Sequence, residues 1–178
     1  MQTAPAPSEF ETRTNATYDA LMWALSRPGL IRDLPAPGAE GLIDALIDRE
    51  CAVHAGSPDL SAYAAQTGAA IAPLAKADHV ILPAAQTPAM LCDLRQGSDM
   101  HPEEGATLIL MATLGTGQAL RLTGPGVDGH IDVRVDGLAD GFWQMRRDVM
   151  RYPMGFEIFL IDGSRVMGLP RSTTVEVL

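Results

Sequence analysis

Apolar positions along the chain follow two regimes. In the first half, runs with one helix-face spacing alternate with short unbroken apolar runs. Tyr18, Leu21, Met22 and Leu25 predict a first helix that starts near Thr14 or Asn15, both good caps, and stops at Pro28-Gly29. Residues 33–41 read as a loop, and Leu42, Ile43, Leu46 and Ile47 as a second short helix. Cys51–Ala55 predicts a buried strand, and Ser57-Pro58-Asp59 opens a helix that runs to about Gln66. Asp78–Leu82 is a further strand, and Thr87-Pro88 starts a helix carrying Met90, Leu91 and Leu94. Gly97–Gly105 is a loop.

The second half alternates with period two. Strands are expected at Ala106–Thr113, Ala119–Thr123 and Ile131–Val135, a helix over Leu138–Met150, then strands at Phe156–Ile161, Arg165–Leu169 and Thr173–Val177. Residues 1–12, polar and Pro-containing, are expected to form a flexible tail, with residues 13–178 as a single domain. Helices alternating with strands early and a strand meander late predict an α/β fold with a mixed β-sheet flanked by helices.

Composition narrows the function classes. The 178 residues are 47% apolar and 20% charged, which supports one sizeable core. The net charge of −9 argues against sequence-independent binding to nucleic acid or to an anionic membrane. No apolar run approaches the ~18–20 residues of a spanning helix. Cys51 and Cys92 form no metal or disulfide spacing, and the first residues lack the apolar core of a secretion signal, so a cytoplasmic location is expected.

The motif census is mostly negative. Gly124-Pro125-Gly126-Val127-Asp128-Gly129 satisfies the dinucleotide fingerprint, but the strand pattern at 131–135 follows where a helix is required, so it reads as a hairpin loop. Gly115-Thr116-Gly117 reads as a turn between strands. His54, His79, His101 and His130 share no metal-ligand spacing, so no metal is expected. Lys76, the single lysine, is the only candidate for a Schiff base and sits in a polar loop with no visible constellation. Arg146, Arg147 and Arg151 cluster at a helix end, where cations complement the dipole.

No catalytic residue is assigned. Candidates for contact with an anion or a partner are Arg171, which follows Pro170 at a strand turn, with Arg121, His101 and Glu104. The last strand, with Thr173, Thr174, Val175 and Glu176, is the candidate partner-facing element. Val175 and Val177 would share one face, and Thr174 and Glu176 the other.

Four stretches in order carry a resemblance. They are YDALMWALSRPG (Tyr18–Gly29), PEEGATLIL (Pro102–Leu110), LRLTGPGV (Leu120–Val127) and YPMGFEIFLIDGSRVMGLPRSTTVEV (Tyr152–Val177). Together they resemble the PhnH family, the H subunit of the bacterial carbon–phosphorus lyase core complex. The resemblance implies a fold similar to the large domain of pyridoxal-phosphate-dependent transferases, without the cofactor. It implies a homodimer that joins the G, I and J subunits. The implied role is support for transfer of a phosphonate to the ribose C1 of ATP with release of adenine, with no catalytic residue carried over to this chain. Two other readings stay open. One is a stand-alone enzyme for an anionic compound, with His101, Glu103 and Glu104 converging on Arg121 or Arg171. The other is a small-ligand-binding protein.

Overall fold

Ser8 starts the first helix. In the computed structural model, which describes residues 6–84 and 87–178, its side chain accepts from the Glu11 N–H while the Glu11 carboxylate takes the Ser8 N–H. This capping box begins α1 (Glu9–Ser26) five residues before the expected Thr14 start. The expected tail over 1–12 is therefore corrected from Ser8 onward, and its first five residues lie outside the described residues. The helix buries Thr17, Ala20, Leu21 and Ala24.

Among the described residues ten strands follow in chain order, with three more α-helices between them. They are β1 (Ile31–Asp33), α2 (Glu40–Leu46), β2 (Ala52–Ala55), α3 (Pro58–Gln66), β3 (Ala70–Ile71), β4 (His79–Leu82), β5 (Thr107–Met111), β6 (Thr113–Thr123), β7 (Ile131–Asp136), α4 (Phe142–Val149), β8 (Glu157–Asp162), β9 (Arg165–Leu169) and β10 (Thr174–Val177). Seven strands form a mixed sheet in the order β1-β9-β8-β5-β4-β2-β3. The five strands from β3 to β8 run parallel, and β9 lies antiparallel between β8 and β1. The other three strands form a second, antiparallel sheet in the order β10-β6-β7.

The large sheet is buried on both faces, as parallel strands require. On one side Ile81, Ile109 and Phe159 pack under α1 and α2, against Leu21, Leu42 and Ile43. On the other, Leu108, Leu110 and Leu160 meet Leu120, Leu122 and Val135 of the small sheet and Phe142 and Trp143 of α4. Gly168 in β9 lets α1 sit close, since a Cβ there would come within 2.7 Å of the Ala24 backbone. No helix among the described residues is long and apolar enough to cross a membrane.

Several expectations are corrected. Gly115-Thr116-Gly117 is not a turn but a bulge inside β6, where Leu114 and Gln118 both face Val135. The predicted strand over 106–113 splits in two, because the chain leaves the large sheet after Met111 and enters the small one at Thr113. The segment after Thr87 is a 3₁₀ helix, Pro88–Asp93, which ends early so that Gln96 can bridge Gly105. The helix expected from Leu138 begins at Phe142, after Gly141 in the left-handed conformation. The Gly124–Gly129 segment is the β6–β7 hairpin loop, as read from the sequence.

Candidate functional site

The corner between α4, β8 and the approach to β10 gathers most of the chemistry. Phe142, Trp143 and Arg146 are the buried residues of α4, so an arginine occupies a core position of an otherwise apolar face. Arg146 is 2% exposed. Its two terminal nitrogens donate to the carbonyls of Thr173 and Pro170, each at 3.0 Å. Burial pushes its guanidinium down to about 10, and Glu157 partly opposes that shift, so it stays cationic at neutral pH. The Arg146 Nε and the Thr173 hydroxyl have no partner among the described residues.

Arg171 completes the corner. Its Nε donates to Glu157 Oε1 at 2.6 Å, and its backbone N–H donates to Oε2 at 2.7 Å. Its guanidinium also donates to the Pro102 carbonyl. Pro102 opens a 3₁₀ turn, Pro102–Glu104, that follows His101. Gly105 ends this turn where there is no room for a side chain, since a Cβ would lie 2.0 Å from the Gly155 carbonyl. The His101 Nδ1 lies 3.1 Å from Glu103 Oε1, and both side chains are exposed. The backbone N–H at Glu103, then His101, hold this carboxyl below the usual range, with Arg171 adding a smaller pull.

The structure thus brings His101, its turn and Arg171 together, with Glu104 exposed on the same turn. Arg121 belongs elsewhere. It lies in β6 and donates twice to Asp132 of β7, at 2.8 and 2.9 Å. Across from it on the other side stands Glu176 of β10, giving an exposed acid–base–acid row over the small sheet. Arg171, in the turn before β10, and Arg121, in the small sheet, are therefore each engaged by a carboxylate of the same chain.

In β10, Val175 is buried, Val177 is half-buried, and Thr174 and Glu176 are exposed. Thr173 precedes the strand and is buried at 2%, so of the four residues assigned to the partner-facing strand only Thr174 and Glu176 present side chains outward. The Leu178 N–H donates to Ala119 of β6, so by alternation the N–H groups of Val175 and Val177 point away from β6. Among the described residues, the outer edge of β10 carries no strand.

Arg146, expected as a helix-end cation with Arg147 and Arg151, is instead buried in the core. Its spacing from Phe142 was the signal, since residues four apart share a helix face. The remaining candidates are dispersed. His79 is largely buried, and burial pushes its imidazole below the ordinary value. His54 Nδ1 sits 3.2 Å from the Ala72 carbonyl. Lys76 is exposed in the turn Leu74–Lys76. No group of three or more His, Cys, Asp or Glu able to hold a metal is found among the described residues.

Two comparisons bear on identity. The family described as bacterial phosphonate metabolism protein (PhnH) matches residues 7–176. A protein of Stutzerimonas stutzeri named as a C-P lyase subunit protein, HtxG, is 32% identical over 195 aligned positions, covering 99% of this chain and 95% of that protein. With a match spanning nearly the whole fold just described, the chain belongs to the PhnH family of bacterial phosphonate metabolism proteins.

Proposed function

We propose that this chain is a carbon–phosphorus lyase subunit that works by docking. In this reading it joins the G, I and J subunits in the cytoplasm and supports transfer of a phosphonate to the ribose C1 of ATP with release of adenine. In isolation it is a homodimer. Support comes from family membership and from the relative named as a C-P lyase subunit. The expected likeness to the large domain of pyridoxal-phosphate-dependent transferases belongs to the same reading, which assigns the chain no cofactor.

One geometric observation carries the docking claim. The charged groups best suited to chemistry are engaged with each other: Arg171 with Glu157, Arg121 with Asp132, His101 with Glu103. Displacement at an anomeric carbon needs a positioned acid and base. Among the end strands of the described residues, β10 is the one whose approach is clamped by Arg146 and Arg171. An added strand from a partner would take the outward N–H and C=O groups of Val175 and Val177.

The test is assembly. Mixed with the G, I and J subunits, the chain should co-elute with them. Val177→Pro removes one outward N–H and leaves the β10–β6 ladder in place, so it should fold and lose co-elution. Co-elution undiminished by this change would move the docking surface elsewhere.

A second reading rests on a cleft of about 420 Å³ at the carboxyl ends of β2 and β4, walled by His54, Gly56, Leu74, Leu82, Pro83 and Met90. The strand order reverses there, the usual position of a ligand crevice in an α/β sheet. Calorimetry with ATP, pyridoxal phosphate and alkyl phosphonates tests it, and heat with any of these would favour a ligand-binding role.

A further inference from the structure

The cleft at the carboxyl ends of β2 and β4 has apolar walls, Leu74, Leu82, Pro83 and Met90. Among the described residues no Lys, Arg, Asp or Glu lines it. A charged ligand would find no ion-pair partner there, and a charge taken out of water without one is costly.

In an α/β sheet the helix that leaves such a crevice commonly holds an anion on its first N–H groups. Here most of those groups are spent. The Gly56 N–H donates to the Ile81 carbonyl at 2.8 Å. Pro58 has no N–H, and the Leu60 N–H donates to the Ser57 hydroxyl oxygen at 3.3 Å. Asp59 sets a carboxylate in the first turn of α3. Apolar side chains also close over the Gly56 backbone, since a Cβ there would lie 2.7 Å from Leu82 and 3.0 Å from Pro83.

Two polar side chains of the lining remain, His54 and Thr87. The His54 Nδ1 lies 3.2 Å from the Ala72 carbonyl, which can only accept, so Nδ1 carries a proton. In the neutral ring the lone pair is then on Nε2, which has no partner among the described residues. The Thr87 Oγ accepts the Ala89 N–H at 3.4 Å and keeps its own O–H to give. A ligand that meets both groups carries a donor and an acceptor on an apolar body.

We infer that this cleft binds an uncharged heterocyclic base, with an N–H given to His54 Nε2 and a ring nitrogen taking the Thr87 O–H. A phosphonate or a phosphate ester would have to strip its charge against leucine and methionine side chains. The inference rests on the ligand-binding reading above and names the class of ligand.

Equilibrium dialysis of the full chain against adenine, ATP and methylphosphonate tests it. Adenine should bind, ATP should bind no more tightly than adenine, and methylphosphonate should not be retained at the same concentration. His54→Asn keeps an amide donor for the Ala72 carbonyl and removes Nε2, so it should weaken adenine binding about tenfold. Thr87→Val, at an exposed position, should weaken it about threefold. Adenine binding unmoved by a folded His54→Asn, or by Thr87→Val where that variant does not fold, overturns the site. ATP or methylphosphonate bound more tightly than adenine overturns the ligand class and leaves the ligand-binding reading standing. Retention of none of the three overturns both.

Discussion

The two sheets share a core but follow opposite rules. The large sheet is covered on both faces, and its central strand β5 buries Leu108, Ile109 and Leu110 in succession. The small sheet buries one face only. Leu120 and Leu122 point inward, while Arg121 between them stands outward with Asp132 and Glu176. The large sheet therefore holds the molecule together, and the small sheet presents a charged face and a free edge. Asp162 joins the two: at the end of β8, its carboxylate accepts the Leu114 N–H of β6 at 3.0 Å and also pairs with Arg165.

The largest effect is expected where the division of labour is most one-sided. Leu160→Ala, in β8 and fully buried against the small sheet, should cost about 2–5 kcal/mol in urea unfolding and melt both sheets together. If the small sheet survives that loss, the shared core is wrongly described.

Arg146→Met comes next. It removes a buried cation, takes the Arg146 donor from the Thr173 carbonyl and leaves the Pro170 carbonyl with the Thr173 N–H. The relief of burying a charge offsets part of that loss, so a net cost of about 1–3 kcal/mol is expected. The distinguishing readout is amide exchange. Protection should fall in β10 and at Thr173 while β4 and β5 keep theirs. Uniform loss would show that Arg146 braces the whole fold rather than the approach to the edge.

Asp162→Ala tests the seam between the sheets. The variant should lose about 1 kcal/mol at neutral pH, through the unsatisfied Leu114 N–H. The Leu114 N–H first, and Arg165 second, hold the Asp162 carboxyl below the ordinary value. Stability from this group is therefore present above the unfolded carboxyl range, about pH 4, and is lost as pH falls through the lower folded value. The thermal midpoint of the unaltered chain should fall more steeply below about pH 4 than that of the variant. Parallel acid limbs would remove Asp162 from the seam.

The smallest effect belongs to Glu103→Gln. The His101–Glu103 pair is exposed, and exposed pairs contribute little. No measurable change in thermal midpoint is expected.

The same contrast explains what could be read in advance. Runs such as Val80–Leu82 and Leu108–Met111 announce buried strands through composition alone. The alternation over Thr174–Val177 announces a one-faced strand. The three-residue β1 and two-residue β3 carry no such signal, because only pairing with β9 and β2 makes them strands. The β6 bulge was missed since two glycines between apolar residues look like a turn, and only the opposing Val135 shows that the strand continues. Ser8 and Glu11 did spell out a capping box, yet no apolar periodicity stands beside them in the exposed first turns of α1. At the candidate site, Arg171 was legible from its place after Pro170. Its partner Glu157 was not, because they meet only after β8 and β9 fold back on each other.

The central claim is that this polypeptide contributes a surface rather than a reaction. Release of adenine from ATP in the presence of an alkyl phosphonate tests it most directly. The purified chain alone should release none above the buffer rate, and adding it to the G, I and J subunits should raise their rate. Adenine released by the isolated chain, and abolished by Glu104→Gln or Arg171→Ala, would contradict the account.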